Sequence, residues 1–304
     1  MSLEVINNPI LATIQDKGRF FYSHIGVSNS GVLDEYAYCY ANKILSNNYG
    51  TNIIEISFSN VIFKANASTI IVVTGAKCEF FINDILCNSW QSYTIKNGDI
   101  IKIGKILEGT RVYLAVKDGF NIKKVFGSNS TTIKEGLGGI NADKLKKGDI
   151  LEFNSAFEQI TQRLNDEYIP KYTDELVLRV ILCAEVDTFE QEEKDKFFQN
   201  DYTVTNDFNR MACKLNGEKI SSNINGIISE GIGFGTIQIP SDGQPIILLK
   251  ERQTIGGYPR IGAVFSLDCF KLAQAKANSK IKFEEISINE AQEKLKDFYK
   301  YFIE

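Results

Sequence analysis

The sequence predicts a mainly β chain of barrels or sandwiches with a few peripheral helices. Three observations carry this. Residues 52–116 are a succession of short runs rich in Ile, Val, Phe and Tyr, separated by turn signals. Glycine clusters follow, at Gly119, Gly127 and Gly136-Leu137-Gly138-Gly139. Helical periodicity is confined to a few stretches, which argues against a wound α/β sheet.

In chain order, Leu11-Ala12-Thr13-Ile14 reads as strand, broken by Asp16-Lys17-Gly18-Arg19. There a carboxylate, the Gln15 amide and a guanidinium surround a glycine turn; a pair bracing a loop would look the same. Asp34 is a good N-cap, and Ala37, Ala41, Ile44 and Leu45 recur at helical spacing. With Asn47-Asn48 and Gly50 as the stop, the helix is expected over 34–47. Strands are expected at 53–58, 69–74, 78–82, 92–95, 100–103 and 111–116, with turns at Asn83-Asp84, Asn97-Gly98-Asp99 and Glu108-Gly109. The stretch Gly127-Ser128-Asn129-Ser130-Thr131-Thr132 matches neither a phosphate loop nor a dinucleotide turn. Its amides and hydroxyls suit an anion cradle, or equally a loop packed on a barrel mouth.

Asn154–Glu175, polar and holding Pro170, is the expected linker, dividing a domain at 1–160 from one at 161–304. The second half predicts a strand at 176–182 and a helix at 189–198 capped by Thr188 with Gln191. Strands follow at 202–205, 211–215, 227–229, 236–239, 246–249 and 261–266. Helices at 267–276 and 288–302 close the chain, the last capped by Ser287 with Glu290 and striped by Ala291, Leu295, Phe298 and Phe302. The most distinctive stretch runs from Asp242-Gly243-Gln244-Pro245 through Ile246–Leu249 to Glu251-Arg252-Gln253-Thr254 and Gly256-Gly257-Tyr258-Pro259. A buried strand that ends in polar side chains beside backbone bare of Cβ presents donors to a ligand; a polar turn leaving a strand reads the same way.

Composition narrows the function. With 304 residues, 43% hydrophobic and 24% charged, the chain has the make-up of a globular protein with a full core. A net charge of −4 without a basic tract gives no nucleic-acid footprint. No apolar run is long enough for a membrane span, and no leader pattern opens the chain, so a cytoplasmic location is expected. The six cysteines are scattered without a C-x-x-C pair, as buried small hydrophobes are. The single histidine, His24, leaves no multi-histidine metal site, and no metal is expected.

Seven pieces in one order carry a resemblance: Thr13-Ile14-Gln15-Asp16 with Gly18-Arg19; Ser30-Gly31 with Asp34; Thr74-Gly75-Ala76; Gly127-Ser128 with Ser130-Thr131; Gly136-Leu137-Gly138-Gly139; Ser229-Glu230-Gly231; and the 242–259 stretch. Together they resemble the family of the 5-oxoprolinase C subunit, also called KipA-like, allophanate hydrolase subunit 2 or biotin-dependent carboxyltransferase-domain proteins. The resemblance covers nearly the whole chain. It implies two cyclophilin-like β-barrel domains. It also implies a KipI-like B subunit and an A subunit as partners in the ATP-dependent opening of 5-oxoproline to glutamate. Other branches transfer a carboxyl group from carboxybiotin to urea, or antagonise a KipI-like kinase inhibitor. ATP has no visible home in this chain and is expected on the complex. Biotin enters only with the carboxyltransferase reading, and no Met-Lys-Met attachment sequence is present.

Opening a lactam builds negative charge on oxygen. Arg252 and Arg19, with amides at Gly256, Gly257, Gly138 and Gly139, are the expected donors to it. Gln253 and Gln244 suit an amide substrate. Asp16, Asp34 or Glu230 would act as base or anchor, and Ser128 and Tyr258 complete the expected binding set. The sequence departs from the family pattern at Arg210-Met211-Ala212-Cys213-Lys214-Leu215, where Arg-Met-Gly-Tyr-Arg-Leu is typical, and at Asn129, where Arg is usual. These changes remove donors rather than framework, so they bear on substrate more than on fold.

Overall fold

The computed structural model describes residues 1–58, 60–156 and 161–303. The chain forms two compact units. One comprises Met1–Phe20, Ser30–Tyr172 and the chain end from Phe302; the other comprises Phe21–Asn29 and Thr173–Tyr301. The fold is mainly β, with four α-helices among the described residues. No helix among them is long and apolar enough to cross a membrane.

In the first unit, β1 (Ser2–Val5), β2 (Leu11–Gln15), α1 (Glu35–Ile44), β3 (Ile53–Ser57), β4 (Val61–Ala65), β5 (Thr69–Ile82), β6 (Ile85–Cys87), β7 (Ser92–Ile95), β8 (Ile100–Val116) and β9 (Ile150–Glu152) follow in order. The strands make a nine-stranded sheet in the order β2-β3-β8-β4-β1-β9, with β5 paired to β6, β7 and β8. Alternate residues such as Ile54 and Ile56, Ile71 and Val73, and Val112 and Leu114 fill one core with Leu3, Phe63 and Phe80. Each such side chain contributes about 1.5–3 kcal/mol on burial. The opposite face of β5 and β8 is covered by α1, so Val72 and Tyr113 are buried as well.

Two expected strand pairs are single long strands. Residues 69–74 and 78–82 both lie in β5, and 100–103 and 111–116 both lie in β8. Gly75 and Gly109, at φ +84° and +82°, sit inside strands rather than in turns. The β5–β8 register shifts just after Gly75, as at a bulge. Asn83 and Asp84, by contrast, have φ +51° and +61° and turn β5 into β6 as a two-residue hairpin. Asp34 caps α1, its Oδ1 accepting from Ala37 N at 3.0 Å. The helix stops at Leu45, earlier than expected, with Ser46 left-handed behind it. The expected linker falls partly on 157–160, outside the described residues. Its stretch from Gln162 to Tyr172 is no free tether: Ser92 N donates to Gln162 O, Leu164 N to Trp90 O, and Tyr172 OH to Asp34 Oδ2.

The second unit contains β10 (Glu175–Leu182), α2 (Gln191–Gln199), β11 (Tyr202–Phe208), β12 (Ala212–Asn216), β13 (Glu230–Gly231), β14 (Thr236–Gln238), β15 (Ile246–Leu248), β16 (Ile255–Gly256), β17 (Arg260–Val264), α3 (Ser266–Leu272), β18 (Lys280–Glu285) and α4 (Ile288–Ile303). Seven strands close a barrel in the order β10-β17-β14-β15-β12-β11-β18. Its interior holds Leu178, Val180, Tyr202, Val204, Ile237, Ile247 and Ile281. Asp268 of α3 takes a two-pronged bond from Arg179, Nε to Oδ2 at 2.7 Å and Nη2 to Oδ1 at 2.8 Å.

Residues 227–229 are not a strand. The short β13 begins at Glu230 and pairs with β16 as a separate two-stranded arm. Thr188 does not cap α2 either: it ends a tight 3₁₀ turn, its hydroxyl donating to Glu185 O, and Glu190 takes the cap position. Ser287 does cap α4, accepting from Glu290 N.

Candidate functional site

In the first unit, β2 delivers Asp16 into the interior, where it is 3% exposed. Its Oδ1 accepts from Ser128 Oγ at 2.6 Å, Ser130 Oγ at 2.6 Å and Gly18 N at 2.8 Å, and its Oδ2 from Asn129 N at 2.6 Å. Buried carboxylates persist where donors replace the lost water, and here hydroxyls and amides do so. Arg19, 1% exposed, donates to Thr132 Oγ1 at 2.8 Å and to Ser130 O. Gln15 Nε2 reaches Thr131 O at 3.0 Å. The Gly127–Thr132 loop is thereby tied to the end of β2.

The glycine turn packs against the same loop. A Cβ on Gly138 would stand 2.0 Å from Ser130 O and 2.5 Å from Arg19 Nη2, and Gly138 has φ +68°. The Gly139 amide, an expected oxyanion donor, gives its proton to Asn129 O. Asn129, standing where the family pattern has Arg, turns inward and donates to Ile122 O at 2.6 Å. Asp34 is committed to the α1 cap and to Tyr172, whose phenol is pushed well above its ordinary range by burial and by Asp34 itself.

In the second unit, the chain leaving β15 places Arg252 beside the β13–β16 arm. Its Nε donates to Ile232 O at 2.9 Å, Nη1 to Leu249 O at 3.2 Å and Nη2 to Asn29 Oδ1 at 2.9 Å. Those bonds do not exhaust a guanidinium's donors. Burial lowers Arg252 to about 10, so it stays cationic at neutral pH in a setting where charge is poorly screened. Gly256 lies next to Ile232 and Gln238: a Cβ there would come 2.5 Å from Ile232 Cδ1 and 2.8 Å from Gln238 Nε2. Gly257 is similarly crowded by Ile227 O.

The remaining expected residues have other surroundings. Gln253 and Tyr258 are exposed. Gln244 accepts from Gly217 N and donates to Gly217 O, clamping that loop. Glu230 accepts from Arg260 Nη2 at 2.7 Å, and Arg260 also reaches Glu185. Burial would raise the Glu185 carboxyl, but hydrogen bonds from Cys183, its own backbone and Arg260 hold it below its usual range.

Sequence reasoning missed Gln238, Arg260 and Asn29 in this region. Gln238 is one polar residue in a three-residue strand, and alternation alone would face it to solvent.

The carboxyltransferase domain, subdomain A and B family model matches residues 25–285. The chain is similar to the 5-oxoprolinase C subunit of Escherichia coli (strain K12), 30% identical over 305 residues that span 99% of this chain and 96% of that protein. It is also similar to urea amidolyase of Saccharomyces cerevisiae, 29% identical over 90% of this chain but only 16% of that much longer protein. Among solved structures, the K. lactis urea amidolyase superposes with a TM-score of 0.92 at 24% identity, over 99% of this chain and 20% of that one.

Proposed function

The chain belongs to the carboxyltransferase domain, subdomain A and B family, and from that premise we propose that it is the C subunit of an ATP-dependent 5-oxoprolinase. It works in the cytoplasm with a KipI-like B subunit and an A subunit to open 5-oxoproline to glutamate. The end-to-end match to a 5-oxoprolinase C subunit supports this reading over that of a lone carboxyltransferase.

The observation that carries the chemistry is the half-buried, cationic Arg252, whose Nε donates to the carbonyl oxygen of Ile232, the residue packed on Gly256. Water attack on a lactam carbonyl moves charge onto its oxygen as the ring C–N bond prepares to break. A cation held in a poorly screening setting stabilises that charge more than bulk water would. We assign Asp16 and Arg19 to holding the Gly127–Gly139 loops in shape, since both Asp16 carboxylate oxygens and both Arg19 Nη atoms bond there. ATP is handled by the assembled complex, where it supplies the driving force for ring opening.

A second reading, carboxyl transfer to a urea-type nitrogen, draws on the similarity to urea amidolyase. Biotin would then come on another chain, and Arg252 suits its ureido or carboxylate oxygens. The two readings separate in an Escherichia coli strain lacking its own 5-oxoprolinase C subunit. Restored growth on 5-oxoproline as nitrogen source supports the first. Absence of growth, with this chain expressed and bound to the A and B subunits, counts against it.

A further inference from the structure

Two arginines of the second unit grip neighbouring carbonyls of one short segment. Arg260, the first residue of β17, donates from Nη1 to Gly231 O at 3.1 Å, and from Nη2 to Glu230 Oε2 at 2.7 Å and to Glu185. Arg252 donates from Nε to Ile232 O, one residue further along, at 2.9 Å. The gripped segment lies off the barrel: β13 pairs with β16 over two residues only, and Glu230 and Gly231 are exposed. β17, by contrast, is paired inside the barrel with both β10 and β14. Arg260 therefore ties a lightly held arm to a firmly held strand.

The two cations differ in their partners. Arg260 sits between two carboxylates, Glu185 and Glu230, so its charge is neutralised where it stands. Arg252 bonds to two carbonyls and the Asn29 amide oxygen, and to no carboxylate among the described residues. Those three acceptors set its orientation, because a guanidinium is a planar fork.

We propose that Arg260 is a positioning residue for Arg252: by tying Glu230 and Gly231 to the barrel it fixes Ile232 O, and with it the plane of the Arg252 guanidinium. The inference rests on reading Arg252 as the group that meets the charge on a reacting oxygen. Such a group stabilises the transition state only if it is held in place beforehand, and a misplacement of about 1 Å costs about 100-fold in rate. Because that charge develops after substrate has bound, the loss falls on kcat rather than KM.

The test uses the full chain assembled with its A and B subunits, with Arg260→Gln placed in two backgrounds, wild type and Arg252→Lys. In the first, kcat for 5-oxoproline is expected to fall about tenfold or more, with KM within about threefold. In the second, where the Nε bond to Ile232 O is already gone, the same change is expected to lower kcat less than about twofold. The Arg252 Nε–H signal in the NMR spectrum of the chain, identified by its loss in Arg252→Lys, is expected to shift in Arg260→Gln. Equal losses in both backgrounds, an unchanged kcat in the first or an unmoved Nε–H signal overturns the proposal. Should Arg260→Gln fail to fold, Arg260→Lys carries the same comparison: it keeps a cation beside Glu185 and Glu230 but cannot span Gly231 O as well. A kcat lost in Arg252→Lys but kept in Arg260→Gln overturns the proposal alone. Wild-type kcat in Arg252→Lys, or no turnover by the complete wild-type mixture, overturns it together with the reading beneath it.

Discussion

Asp16 and Ser130 hold each other in a closed pair of bonds: the Ser130 hydroxyl donates to Asp16 Oδ1 at 2.6 Å and accepts from Asp16 N at 3.0 Å. The two residues are 114 positions apart, so the pair pins a loop to the end of β2 across most of the first unit's sequence.

Asp16→Ala leaves the Ser128 and Ser130 hydroxyls and the Gly18 and Asn129 amides without their acceptor. Each stranded donor costs about 1–3 kcal/mol, tempered by water entry. We expect a loss of about 3 kcal/mol or more in urea unfolding. Unchanged stability with lost activity would instead make Asp16 a catalytic group.

Gly138→Ala meets backbone rather than a yielding side chain, since its Cβ would stand 2.0 Å from Ser130 O. The positive φ adds about 1 kcal/mol or more of strain. A fall of about 2 kcal/mol in stability is expected. The same change at Gly136, whose Cβ would have open space around it, tests the strain alone and should cost less.

Arg252→Lys cannot keep Ile232 O, Leu249 O and Asn29 Oδ1 on one planar fork. We expect stability to drop by about 1 kcal/mol and activity of the reconstituted enzyme to fall at least tenfold. An activity close to wild type would remove Arg252 from the site.

Asp268 is held below its ordinary carboxyl range: burial pushes it up, but the bonds from Arg179 outweigh that. A depressed folded-state pKa stabilises the fold at pH above the unfolded value near 3.8, and the stabilisation is lost as pH falls below it. Asp268→Asn should therefore cost about 3 kcal/mol at pH 7, and the gap to wild type should narrow in acid-titration melts below pH 3.8. A gap independent of pH would contradict the assignment.

What could be read in advance depended on range. The Asp34 cap, the α1 stripe and the Asn83-Asp84 hairpin are local, and each stands where spacing and turn chemistry place it. Gly109 misled, because a left-handed glycine serves a bulge as well as a turn, and only pairing with a distant strand distinguishes them. Thr188 has the chemistry of a cap, but the 3₁₀ turn ahead of α2 consumes its hydroxyl, and Glu190 stands at the cap position without a side-chain bond. Among the site residues, Arg252 and Gly256 stand out as a polar end to an apolar run. Gln238 does not, because its burial follows from barrel closure around a strand of three residues.

The most direct measurement is glutamate release from 5-oxoproline plus ATP by this chain alone, with its B subunit, and with the A and B subunits together. The account predicts release only in the complete mixture. No release in any mixture, despite a stable complex with the B subunit, would contradict it.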